Sequence, residues 1–101
     1  MISGKERAKL KGFANGIKPL LQIGKGGISQ GVIDQLNQLL EDHELVKITF
    51  LKNSIYSPKE VKDELLEATG AEFVQAIGST LTLFRKNPEE SSFEEITGSG
   101  D

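Results

Sequence analysis

The sequence predicts a small α/β domain of the α+β kind: a mixed four-stranded sheet with three helices, in the order α-β-α-β-α-β-β. Three observations predict it. Stretches with apolar residues at helical spacing alternate with short β-prone runs. Ser-x-x-Glu capping signals and glycines separate them. The last two β-prone runs are divided only by Gly78-Ser79, the length of a hairpin turn. Strand–helix–strand units make parallel pairs with right-handed crossovers, and the hairpin adds an antiparallel pair.

Ser3 and Glu6 match a capping box, so the first helix runs from about Gly4 to Ala14. Leu10, Phe13 and Ala14 give it a short apolar stripe. Gly16 and Pro19 stop it. Leu20-Leu21-Gln22-Ile23 is a short strand. Gly24-Lys25-Gly26-Gly27 is a loop, because three glycines in four positions hold neither a strand nor a helix interior. Ser29 caps a second helix, with Val32, Ile33, Leu36, Leu39 and Leu40 recurring at helical spacing to an end near Asp42 or His43.

Leu45 to Leu51 is a strand, with Val46, Ile48 and Phe50 on one face and Lys47 and Thr49 on the other. Ser57-Pro58-Lys59-Glu60 is a second capping box with proline at the first helical position. Val61, Leu65, Leu66 and Ala68 line that third helix, and Gly70 closes it. Glu72–Ile77 and Thr80–Arg85 form the hairpin, and Asn87-Pro88 ends the fold. The domain is thus residues 1–88. Residues 89–101, acidic and rich in Ser and Gly, read as a disordered tail.

Composition removes several classes of function. With no cysteine, disulfides, thiol nucleophiles and thiolate zinc sites are excluded. The start of the chain has no apolar h-region and no apolar run reaches a membrane span, so a cytoplasmic protein without membrane contact is expected. The single histidine, His43, stands where a helix ends, a position that favours a structural role. It cannot furnish the usual nucleophile–base pair or a metal set, so no catalytic residue, metal or cofactor is assigned.

The net charge of −3 is unevenly spread: residues 89–101 carry −5, and residues 1–88 carry +2. Within the first 28 residues Lys5, Arg7, Lys9, Lys11, Lys18 and Lys25 face only Glu6. A basic front with an acidic tail hints at nucleic acid, and solvated surface lysines explain the same charges.

The glycine loop is the candidate binding element. Its Gly-x-x-Gly spacing means little alone, since chance gives about one instance in a chain of 101 residues with 11 glycines. It is neither a Walker loop nor a complete Gly-x-Gly-x-x-Gly, because Ser29 stands where the third glycine belongs. Its position between a strand and an N-capped helix is more telling. Glycines let a backbone approach closely, the helix N-terminus offers unpaired N–H groups, and Lys25 adds an ammonium. That is how the Gly-x-x-Gly clamp of KH domains holds nucleotides. A tight turn that merely needs positive φ explains the same residues.

If the loop is a clamp, Gly24, Lys25, Gly26, Gly27 and Ser29 are the RNA-contacting candidates, with Arg7, Lys11 and Lys18 extending the surface. Lys47 and Arg85 rank below them, as strand residues on a sheet face. Phe84 fits the core better than a stacking site, and Tyr56 is undecided.

Three segments resemble one family. The run Lys18-Pro19-Leu20-Leu21-Gln22-Ile23-Gly24-Lys25-Gly26-Gly27-Ile28-Ser29 resembles the signature of YhbY-like proteins, stand-alone CRM (chloroplast RNA splicing and ribosome maturation) domains. His43-Glu44-Leu45-Val46-Lys47-Ile48 resembles a second family run. Thr69-Gly70 through Gly78, with Leu83-Phe84-Arg85, resembles its close. The resemblance covers about residues 3–86. It implies a KH-like RNA-binding loop on a fold similar to the C-terminal domain of bacterial translation initiation factor three. It also implies association with precursors of the large ribosomal subunit, and carries Gly24, Lys25, Gly26 and Gly27 over as the RNA-contacting loop. Lys47 and Arg85 match family positions. Asn15 stands near a position where relatives carry histidine, and Phe84 where tyrosine is common.

The expectation is a monomeric, non-enzymatic RNA-binding protein of large-subunit assembly, with ribosomal or pre-ribosomal RNA as partner and no small-molecule substrate. One alternative is a protein-interaction module recruited to ribosomes through a ribosomal protein, suggested by the net negative charge. Another is a small enzyme using the loop for a nucleotide phosphate.

Overall fold

Local signals set the helix ends. In a computed structural model describing residues 2–89 and 91–93, α1 spans Gly4–Ala14, and Ser3 and Glu6 form the reciprocal capping box at its start. Ser29 precedes α2, Gln30–His43, and its hydroxyl accepts from the Val32 N–H at 3.2 Å. At the start of α3, Pro58–Thr69, the Ser57 N–H donates to the Glu60 carboxylate at 2.9 Å. Gly70 ends α3 at φ +71°, a left-handed conformation that costs glycine nothing. No described helix is long and apolar enough to cross a membrane.

The strands are β1 (Leu21–Ile23), β2 (Leu45–Phe50), β3 (Glu72–Ile77) and β4 (Thr80–Phe84). They lie in the order β1-β2-β4-β3, with β1 parallel to β2 and both pairs involving β4 antiparallel. The expected parallel pair across α2 is therefore present. Across α3, β2 and β3 run in the same direction but do not touch, because β4 folds back between them.

Strand alternation divides the sheet into two faces. Leu21, Ile23, Val46, Ile48, Phe50, Leu81 and Leu83 meet Leu36 and Leu40 of α2 and Val61 and Leu65 of α3 in the main core. On the other face, Leu10 and Ala14 of α1 cover Leu45, Val74 and Phe84. Each fully buried aliphatic or aromatic side chain contributes about 1.5–3 kcal/mol. Helix α1 does not cover the whole face, and the remainder is polar apart from Ile77.

The folded segment extends past Pro88, where the sequence reading ended it. The Phe93 ring packs edge-on against both Phe13 and Phe84, at 5.6 Å each. The segment is pinned by Glu44, which is buried and holds φ +66°. Its carboxylate accepts from the Asn87 N–H (2.9 Å), the Ser91 hydroxyl (2.6 Å) and the Ser92 N–H (2.6 Å). This contact joins residues over 40 positions apart, so no local pattern announces it. The rest of the expected disordered tail, Glu90 and residues 94–101, lies outside the described residues.

Candidate nucleic-acid interface

Because β1 and β2 are parallel, the loops that follow them emerge at the same end of the sheet. One is the glycine loop, leading into α2. The other is residues 51–57, leading into α3. The two strands stay paired to that end, where the Leu51 N–H donates to the Ile23 carbonyl at 2.8 Å. Crevices at the carboxyl ends of parallel strands are where open α/β sheets bind ligands.

The Gly27 N–H donates to the Gly24 carbonyl at 3.0 Å, closing Gly24-Lys25-Gly26-Gly27 into a turn. The glycines serve different ends. Gly27 is buried at φ +66°, and the Tyr56 ring stands 3.4 Å from where a Cβ would lie. Gly24 is approached by the Asn53 amide oxygen, 3.2 Å from a Cβ position. Gly26 has neither constraint: its φ is not left-handed, and nothing lies within 4 Å of its Cβ position. Lys25 and Gly26 form the exposed crest.

The three helix N-termini differ. Those of α1 and α3 hold a carboxylate of their own, Glu6 and Glu60, each accepting a backbone N–H at the cap. These bonds keep both carboxyls ionised to lower pH than usual. The first turn of α2 contains no acidic residue, and Ser29 uses only the Val32 N–H. Its remaining N–H groups and positive dipole end stand beside the glycine loop without an internal anion.

Strand direction decides which predicted residues join this end. Lys25, Gly26 and Ser29 are together there. Lys18 precedes β1 and borders an apolar depression with Phe13, Ile17, Leu20, His43, Leu45 and Phe93, at the opposite end. Arg7 is half-buried and its Nε donates to the Phe73 carbonyl at 3.0 Å, also at the far end. With strands rising about 3.3 Å per residue, that end is roughly 17 Å from the loop. Lys11 is exposed on α1, one turn before Asn15. Arg85 follows β4 with its guanidinium engaged: Nη1 donates to the Asn37 amide oxygen and the Thr69 carbonyl (2.7 Å each), and Nη2 to the Asn37 carbonyl (3.0 Å). Lys47 lies on the open sheet face, half-buried.

Sequence reading weighed Tyr56 as a stacking residue but passed over the rest of the second loop. Lys52, Asn53 and Ile55 are exposed there, beside Tyr56, a residue 42% exposed whose ring walls Gly27. Their nearness to the glycine loop follows from the parallel pairing, and the strand–helix–strand pattern was the available signal. Among the described residues no cluster of three His, Asp or Glu side chains gathers for a metal ion.

Comparison with known proteins agrees with this architecture. The chain is 32% identical over 94 residues to the "Probable RNA-binding protein YqeI" of Bacillus subtilis, covering 93% of this chain and 98% of that protein. It is 30% identical over 88 residues to an "RNA-binding protein" of Haemophilus influenzae, covering 87% and 89%. The solution structure of SAV1595 from Staphylococcus aureus superposes with a TM-score of 0.77 at 41% identity, covering 95% and 97% of the two chains. The family model described as the CRS1 / YhbY (CRM) domain matches residues 2–85, and with a mixed sheet of the expected element order beneath it, the chain belongs to that family.

Proposed function

We propose that this chain is a non-enzymatic, monomeric RNA-binding protein that grips an RNA backbone through Gly24-Lys25-Gly26-Gly27 and the N-terminus of α2. The observation that carries the reading is the contrast between helix starts: α2 alone among the three has no carboxylate of its own in the first turn. A phosphate seated there meets free N–H groups, the positive end of the helix dipole and the Lys25 ammonium. Gly26, which the fold does not require to be glycine, leaves room for a sugar-phosphate backbone to lie against the crest. Relatives named as RNA-binding proteins support RNA as the ligand.

The biological setting we assign is assembly of the large ribosomal subunit in the cytoplasm, supported by the resemblance of the loop, His43–Ile48 and Thr69–Arg85 segments to ribosome-maturation domains. Contacts of this kind go mainly to phosphate and sugar, so binding is strongly salt-dependent and modest in sequence preference. A gel-shift titration with structured ribosomal RNA tests the reading. The variant Lys25→Asp with Gly26→Asp keeps the fold and loses affinity. Unchanged affinity in a folded variant refutes it.

A further inference from the structure

The face of the sheet that α1 leaves open is arranged in two rows. Antiparallel register puts Lys47 opposite Thr82 and Thr49 opposite Thr80 on β2 and β4. The β3–β4 register places Gln75 opposite Thr82 and Ile77 opposite Thr80. Gln22 of β1 pairs with Thr49. The rows are therefore Lys47–Thr82–Gln75 and Gln22–Thr49–Thr80–Ile77. The second begins two residues before Gly24.

An irregularity builds the first row. Between Phe73 and Gln75 the β3 register shifts by one residue, leaving Val74 without a partner. In regular alternation Val74 and Gln75 would point to opposite faces. The bulge turns Val74 under α1 and also brings Gln75 to that side, beside Thr82. The result is a cleft of about 220 Å³ lined by Asn15, Lys47, Gln75, Ile77, Thr80 and Thr82.

Among the described residues the polar side chains lining this cleft make no hydrogen bond or ion pair within the protein. The Thr82 hydroxyl is fully buried and has no hydrogen-bond partner. Among the described residues the side chains of Asn15, Lys47, Gln75 and Thr80 also make no hydrogen bond or ion pair. Buried polar groups are nearly always satisfied, so the Thr82 hydroxyl calls for a ligand or water, while exposed Asn15 and half-buried Lys47, Gln75 and Thr80 stand open around it. The chemistry of the set narrows the ligand. A phosphate only accepts hydrogen bonds, and the cleft has a single cation. Two amides and two hydroxyls offer donors and acceptors together, as a base edge and a ribose hydroxyl do. Ile77, 63% exposed, adds a flat apolar contact at the rim.

We propose that this cleft binds an unpaired nucleotide of RNA, reading its base edge and ribose while the glycine loop holds the backbone. The proposal rests on the RNA-binding reading of the loop. At about 4.8 Å per strand, Thr80 stands roughly 10 Å across the sheet from Gln22, the residue that leads into the loop.

The test measures fluorescence anisotropy with two labelled probes, an unstructured mixed-sequence single-stranded RNA and a blunt duplex RNA. Gln75→Leu and Thr82→Val each weaken single-strand binding by about five-fold or more, the range for losing a paired base contact, and change duplex binding by less than about two-fold. Thr82→Ser, which keeps the hydroxyl, retains single-strand affinity. Lys25→Asp weakens both probes. Single-strand binding within two-fold of the parent in both cleft variants overturns the proposal while leaving the loop reading intact. Equal losses for single strand and duplex also overturn it. Full binding in Lys25→Asp with losses in the cleft variants refutes the loop reading alone, and binding of neither probe by the parent protein refutes both.

Discussion

The Tyr56 ring stands 3.4 Å from the Cβ position of Gly27, so the loop after β2 walls the glycine turn after β1. Two glycines one residue apart consequently behave differently. Gly27→Ala places a side chain at φ +66° and costs about 1–2 kcal/mol of stability, read in a urea titration. Gly26→Ala leaves stability within about 0.5 kcal/mol, because that crest is open, and weakens RNA binding if a backbone packs there.

Thr82 combines full burial with an unsatisfied hydroxyl. Replacing it by the isosteric valine removes the desolvation cost of that group. The expected outcome of Thr82→Val is a gain of about 1–3 kcal/mol, seen as a higher urea midpoint with unchanged slope. Stability gained where single-strand affinity is lost marks a side chain kept for binding. A destabilised Thr82→Val contradicts this account of the cleft.

Glu44 and Phe93 act on the same segment, one through three accepted hydrogen bonds and the other through two ring contacts. Glu44→Ala should cost about 2–3 kcal/mol. Glu44→Gly should cost about 1 kcal/mol less than the alanine change, because φ +66° suits glycine. In a double-mutant cycle, Glu44→Ala with Phe93→Ala loses less than the sum of the singles, since either change alone releases the segment. Strict additivity would show that the two contacts are independent.

Glu6 and Glu60 titrate below the ordinary glutamate value of 4.5, chiefly because each accepts the backbone N–H of its cap residue, Ser3 or Ser57. A lowered folded pKa means the stabilisation is complete above the unfolded pKa and is lost as pH falls through the folded one. The thermal midpoint should therefore decline as pH drops below about 4.5. Glu6→Gln with Glu60→Gln, which retains the cap acceptor but not the charge, should reduce that decline. An identical pH profile would show that the caps do not contribute to it.

What was legible in the sequence was local. Ser3, Ser29 and Ser57 mark helix starts because capping is a matter of a few residues, and Gly70 marks a stop for the same reason. The alternation of Val46, Ile48 and Phe50 with Lys47 and Thr49 gave the faces of β2 correctly. What was hidden depends on pairing at a distance. The insertion of β4 between β2 and β3, the bulge at Val74 and the carboxylate of Glu44 reaching residues 87–92 have no local signature. Strand direction, likewise, places Arg7 and Lys18 at the end away from the loop, although Lys18 is only six positions from Gly24 in sequence.

In the function proposed above, Lys25 and the α2 N-terminus hold phosphate. This is tested most directly by the salt dependence of RNA affinity for the parent protein and for Lys25→Met. A lysine that neutralises one phosphate contributes about 0.7–0.9 to the slope of log affinity against log salt. The slope should become shallower by that amount in Lys25→Met, with lower affinity at every salt concentration. Identical slopes and affinities for the two proteins would show that Lys25 holds no phosphate.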